Sequence, residues 1–144
     1  MTANQELPRA NVSTRVLVID DEPGIRDMLS YSLRRFGCVV SAAANGEQGV
    51  AAARAADFDV VICDVMMPGM DGFAVLEILK REQPLVEVIM VTGYPTPETS
   101  SRSAELGAFG NLDKPYELGA MRAMIDAAAA RKRERSCEKG PVAR

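Results

Sequence analysis

Three aspartates, a threonine and a lysine in this chain have the types and positions to do chemistry together. Asp20 and Asp21 follow the apolar run RVLVI at residues 15–19, with Glu22 next. Asp64 ends the run VVIC at 60–63, and Thr92 ends VEVIMV at 86–91. Asp113, Lys114 and Pro115 follow AFGNL at 108–112. Crowded carboxylates repel, and their pKa values rise unless a cation joins them. Hard oxygen ligands without imidazole or thiolate favour Mg2+, which is usually held by one or two carboxylates plus phosphate. A lysine in the same pocket is a point charge for a carboxylate or phosphoryl oxygen. Such a set makes a phosphoryl-transfer site with an aspartate as nucleophile. Asp64 is the best candidate, because the sharp turn at Met67-Pro68-Gly69 leaves it exposed at the pocket mouth. Taken singly, each acid has a plainer reading: Asp20 and Asp21 can simply cap the helix that begins at Pro23.

These residues come together only if the elements bearing them converge. Residues 15–20, 38–43, 59–63, 86–91 and 108–112 read as five strands, mostly continuous apolar runs. Between them lie helical patterns. Ile25, Met28, Leu29, Leu33 and Phe36 share one face after Pro23, and Gly37 suits the position just past that helix. Asn45 can cap a second helix through about Ala56, and Phe73, Leu76 and Leu79 mark a third. Residues 97–107 form a weak fourth helix with only Ala104 and Leu106 as apolar support. Residues 116–134 form a fifth, with Leu118, Met121, Ile125 and Ala128 or Ala129 inward. Strands alternating with helices imply a parallel sheet covered on both faces, here a doubly wound (βα)5 α/β fold. Ligands in such folds bind beyond the carboxyl ends of the strands, where the acids, hydroxyl and lysine stand.

The 144 residues suit one domain, with a disordered arm over 1–14, the folded unit over 15–134 and a flexible tail over 135–144. No apolar run approaches the ~20 residues of a membrane span. The first residues lack the basic start and apolar stretch of a secretory signal. Cys38, Cys63 and Cys137 have neither disulfide nor zinc spacing, and the first two read as buried thiols. A cytoplasmic protein fits best. The chain has no histidine, which excludes His triads, His metal sites and phosphohistidine relays within it. Residues 131–144 carry six Lys or Arg against two Glu, read as a solvated helix end rather than a nucleic-acid contact.

The motifs VLVIDDE, DVVICDVMMPGMDG, VIMVTGY and LGAFGNLDKPY, over about residues 14–130, resemble the receiver domain of two-component response regulators. The resemblance implies a flavodoxin-like sheet and a phosphorylation-dependent switch, not a turnover enzyme. Asp64 would accept phosphate from a sensor histidine kinase or phosphotransfer protein. Asp21 would bind Mg2+ directly and Asp20 through water, with Asp64 and the backbone carbonyl of Met66 also on the metal. Lys114 would pair with Asp64 and then with the phosphoryl oxygens, Thr92 would hydrogen-bond them, and the bond before Pro115 would be cis. The fourth helix, fifth strand and fifth helix would form the surface for a downstream protein or a second copy.

Three positions modify that expectation. Asn111 stands where receivers commonly carry Tyr or Phe as a switch residue, so signalling is expected to rest on the Thr92 loop and the fourth helix. Met66 and Tyr94, two residues after Asp64 and Thr92, flank the path of an attacking water without being able to act as bases, and are expected to lengthen the phosphate's lifetime. Two other classes share parts of the set. A Mg2+-dependent phosphatase with an aspartyl intermediate wants a second Asp where Met66 stands, and a pseudo-receiver scaffold would not need the full set of acids, hydroxyl and lysine.

Overall fold

The structure is a computed structural model describing residues 13–142; the arm proposed for residues 1–14 lies outside it except for Ser13 and Thr14. Five strands run β1 (Arg15–Ile19), β2 (Val39–Ala43), β3 (Val60–Asp64), β4 (Glu87–Thr92) and β5 (Gly110–Asp113). The helices between and after them are α1 (Pro23–Arg35), α2 (Gly46–Ala55), α3 (Gly72–Glu82), α4 (Pro97–Glu105) and α5 (Leu118–Val142). All strands are parallel, in the order β2-β1-β3-β4-β5. The reversal of direction in that order falls between β1 and β3, so a crevice opens there at the carboxyl ends.

Side chains alternate across the central strands, and both faces are covered, which is why these runs are apolar at every position. Leu17, Ile19, Val61, Cys63, Val88 and Met90 meet Val50, Ala53, Phe73, Leu76 and Leu79 on one face. Val16, Val18, Val60, Ile62, Ile89 and Val91 meet Leu29, Leu33, Met121, Ile125, Ala128 and Ala129 on the other. The edge strand β2 differs. Its run also looks fully buried in sequence, yet Val39 is exposed and Cys38 only half-buried, because no strand lies beyond it. Met28, read as part of the inward face of α1, is exposed as well.

Local chemistry sets the helix ends. The side chain of Asn45 accepts from the Gln48 amide at 2.8 Å, and Asp71 and Thr96 cap α3 and α4 in the same way. Gly37 takes φ +94° just past α1, as the sequence predicts.

Two helices depart from expectation. In α4, Ala104 is exposed, and the helix buries only Ser103. Its other hold is the Arg102 guanidinium, 4.4 Å from the centroid of the Phe73 ring. The helix expected to end at 134 continues to Val142, and residues 135–142 are the end of a 25-residue helix. Its charges are not simply solvated either. Glu87, 1% exposed at the start of β4, accepts from Arg135 Nη1 at 2.9 Å. Arg131 Nε lies 3.5 Å from the same carboxylate and Lys80 Nζ 4.0 Å. Lys132 Nζ reaches Asp59 at 3.1 Å. The acid just before β3 and the one that begins β4 thus collect the basic end of α5, a long-range pairing that a local helix-dipole argument does not contain.

Glu87→Gln keeps the shape of this network but removes its charge. Urea unfolding should show a loss of roughly 2 kcal/mol, less than the about 3–5 kcal/mol of a fully buried pair because the arginines remain partly in water. Amide exchange at residues 131–137 should quicken; an unchanged urea midpoint would refute the anchoring role.

Candidate functional site

Strand register brings the acids together. Ile19 is level with Cys63 on one side and Ala43 on the other, so Asp20 and Asp64 emerge side by side as the next residues. The Asp20 amide donates to the Ala43 carbonyl and the Val65 amide to the Val91 carbonyl, continuing the ladders past the strand ends. Thr92 is level with Asp113, and the Lys114 amide donates to the Thr92 carbonyl at 2.7 Å. The turn after Asp64 needs two glycines. Gly69 has φ +74°, and a Cβ on Gly72 would collide with the Asp64 carbonyl oxygen. Only without that Cβ can α3 start this close to the end of β3.

Asp64 is buried rather than exposed as its turn suggests, because Lys114 and the Met66 backbone close over its carboxylate. Asp20 is buried and Asp21 half-buried, and one carboxylate oxygen from each of the three lies within 4.8 Å of the others. Lys114 Nζ bridges the first two, 3.2 Å from Asp64 Oδ2 and 3.3 Å from Asp20 Oδ2. The Met66 amide donates to Asp64 Oδ1 at 3.2 Å, and the Glu22 amide to Asp20 Oδ1 at 2.9 Å. Above them opens a cavity of ≈ 420 Å³ lined by Asp21, Glu22, Asp64, Met66, Gly93, Tyr94 and Lys114. Thr92 is buried beside the lining residue Gly93, its hydroxyl oxygen accepting from the Tyr94 amide at 3.0 Å. The peptide bond before Pro115 is cis.

Asp20, Asp21, Asp64, Met66, Thr92, Tyr94 and Lys114 therefore meet in one place. Asn111 does not join them, since it sits lower in β5 opposite Met90. Two further residues were given no role from the sequence. Glu22 Oε1 lies 3.6 Å from Lys114 Nζ, and Arg26 Nη1 donates to the Asp20 carbonyl at 2.8 Å. The acid in DDE was visible, whereas the arginine's reach back across the first turn of α1 needed the folded loop.

Burial raises the pKa of Asp64, and the Asp20 charge adds to the rise, while Lys114 and the Met66 amide pull it down without reversing it. Burial depresses Lys114, but the charges and hydrogen bonds of Asp64 and Asp20 outweigh that and leave its pKa raised. The ammonium is thus held charged between two acids, one of which gives up its proton reluctantly. An all-oxygen cluster of this size suits a hard divalent cation, which would relieve the same repulsion.

The match with known proteins is decided over most of the chain: the response regulator receiver domain model covers residues 16–126. The chain belongs to the response regulator receiver family. This receiver is 36% identical over 121 residues to the transcriptional activator protein PfeR of Pseudomonas aeruginosa, a match covering 84% of the chain and 39% of that protein. It is 35% identical over 117 residues to the transcriptional regulatory protein TcrA of Mycobacterium tuberculosis, covering 81% and 46%. The receiver thus spans less than half the length of these relatives. Among solved structures it is similar to the chemotaxis protein CheY4 of Vibrio cholerae, with TM-score 0.78, 32% identity and coverage of 81% of this chain and 99% of that one. A CheY-like receiver domain protein from Methanospirillum hungatei gives TM-score 0.83 at 28% identity, covering 86% and 99%.

An acid whose folded pKa lies above its unfolded one weakens the fold once ionised, so the penalty is absent at low pH and grows as pH rises through that window. Asp64→Asn should therefore raise the melting temperature of the metal-free receiver at neutral pH, and the gain should vanish below the ordinary carboxylate range of about 4. Mg2+ should stabilise the parent protein more than the variant. A variant that melts lower at neutral pH would contradict the assignment of Asp64 as the strained acid.

Proposed function

We propose that the receiver takes a phosphoryl group on Asp64 from the phosphohistidine of a sensor kinase or phosphotransfer protein. The observation that carries this reading is the single ammonium of Lys114 between Asp64 and Asp20 at the mouth of an open cavity. An Asp64 oxygen forms the new P–O bond as the donor's P–N bond breaks and the imidazole leaves. Lys114 then shares its charge with the phosphoryl oxygens, and the Thr92 hydroxyl, freed from the Tyr94 amide, donates to one of them. Asp20, Asp21, Asp64 and the Met66 carbonyl would hold Mg2+, which when bound neutralises the crowded negative charge. Arg26 fixes the loop carrying the first two acids.

A phosphoryl group adds about two negative charges, and its effect travels through the Thr92 loop to α4. That helix buries one residue of its own, so its position shifts at small cost. The surface of α4, β5 and α5 then meets a downstream protein or a second copy. In this reading the partner is a protein rather than a nucleic acid; the pairing of Arg131, Lys132 and Arg135 with Glu87 and Asp59 supports it by leaving those cations less available to phosphates. Among the described residues no helix is long and apolar enough to cross a membrane; a cytoplasmic setting is part of the proposed reading. The domain assists its own phosphorylation and dephosphorylation and does not turn over a separate substrate.

Incubation with acetyl phosphate and Mg2+ should add one phosphate to the intact mass, and Asp64→Asn should abolish it. Multiple turnover of a phosphomonoester would instead indicate a phosphatase, and no modification a scaffold. Met66 and Tyr94, 58% and 75% exposed, line the cavity, and in this reading they flank the path of an attacking water. The Met66→Asn, Tyr94→Glu double variant should lose its phosphoryl group faster than the parent, as expected when polar groups able to orient the attacking water and take its proton replace two that cannot. Equal decay of the phosphorylated mass would remove these two residues from any timing role.

A further inference from the structure

Two buried polar atoms lie beneath α4 without a partner in the protein: the hydroxyl oxygen of Ser103 and the amide oxygen of Asn111. Ser103 is fully buried and is the only residue of α4 that is. Its hydroxyl does not make the bond to the carbonyl one turn back that a helical serine often makes. Asn111 is level with Met90 in the β4–β5 ladder, so its side chain shares the sheet face of Met90. Met90 belongs to the core cluster against which Leu106 and Ala108, just after α4, are packed. The Ala108 amide donates to the Ser103 carbonyl at 2.9 Å, tying the two segments by a short turn. Both unpartnered atoms therefore stand in one layer, between α4 and the sheet.

Buried polar atoms are nearly always hydrogen-bonded, and two exceptions in the same layer mark a packing that a small movement can improve. The movement is available. Above this layer, α4 is capped by Thr96, four residues after Thr92, and its outer hold is the Arg102 stack on Phe73. Below it, Leu106 is only half-buried.

We propose that Ser103 and Asn111 form a polar latch for the shifted position of α4. When the Thr92 hydroxyl leaves the Tyr94 amide and draws in the loop, α4 moves and the Ser103 hydroxyl donates to the Asn111 amide oxygen. The bond is made only in the shifted state, so it favours that state. Ser103 and Asn111 are positioning residues; neither lines the phosphoryl cavity. The proposal rests on Asp64 and Thr92 acting as read above, and it gives position 111 a hydrogen-bonding part in place of an aromatic ring.

The test compares the full chain with Ser103→Ala, Asn111→Leu and the double variant, before and after acetyl phosphate and Mg2+. Intact mass reads modification of Asp64, amide exchange over residues 97–107 reads α4, and thermal melting reads the resting state. All variants should be phosphorylated to the parent's extent. Each single variant should melt at or above the parent at rest, because it removes an unpaired buried atom. Each should also lower the equilibrium for the shifted α4 about tenfold, the worth of one hydrogen bond. The double variant should do no worse than either single one. Additive losses, or an α4 response equal to the parent's, would overturn the latch. So would a fall in the resting melting temperature of Ser103→Ala, which would mean that its hydroxyl is already bonded at rest, for instance to a bridging water. That last reading stands even if Asn111→Leu does not fold. Failure of the parent to take up phosphate would instead sink the assignment of Asp64 and leave the melting comparison to judge the latch.

Discussion

One ammonium group between two buried carboxylates organises the upper end of this molecule. Asp20 and Asp64 arrive side by side because β1 and β3 are neighbours in register, and their charges would repel if nothing joined them. Lys114 joins them at 3.2 and 3.3 Å, brought there by β5 from the far edge of the sheet. Three strands that are separated in sequence are thus committed to one relative placement by a single cation. The arrangement is also unfinished. Asp64 still carries a raised pKa, so the site gains from any further positive charge or from transfer of the lysine's charge to a new anion.

The lower end of the sheet answers a similar problem in a static way. Glu87 is almost wholly buried, but it is surrounded by Arg131, Arg135 and Lys80. Here the cations outnumber the acid, and two of them come from the same helix. Such a network fixes α5 along the sheet without leaving an unmet charge that could drive a change. Burial of carboxylates therefore serves two ends in one fold. With one lysine shared among several acids it makes a reactive site, and with several cations around one acid it makes an anchor.

Between these poles the helices differ in how firmly they are held. α5 lays Met121, Ile125, Ala128 and Ala129 into the core and then adds the ion pairs. α4 has a stacked arginine, a buried serine and little apolar surface. Because the hydrophobic contribution grows with apolar area removed from water, α4, which buries one residue of its own, is held less firmly than α5.

How much of this could be read from the chain follows from the range of each interaction. The alternating runs and helical periods are local patterns, and they placed all five strands and five helices, with Asn45 and Gly37 at their ends. The acids, hydroxyl and lysine were legible because an apolar strand that ends on a polar residue must deliver it to the carboxyl edge of a parallel sheet. What stayed hidden depended on distant partners. Position in the fold, rather than composition, exposes Val39 on an edge strand and buries Ser103 on the inner face of α4. The basic stretch after residue 130 looked solvated because its acids, Asp59 and Glu87, lie more than forty positions back along the chain. Arg26 belongs to the same class, found by the loop it braces, and so does the missing partner of Asn111, a residue already conspicuous in the sequence. The sequence by itself determined which acids, hydroxyl and lysine converge at the carboxyl edge of the sheet, because side-chain type and strand-end position are local properties. Only the tertiary structure decided which charges share a counter-ion and which polar atoms go unpaired, because both depend on what the fold brings alongside.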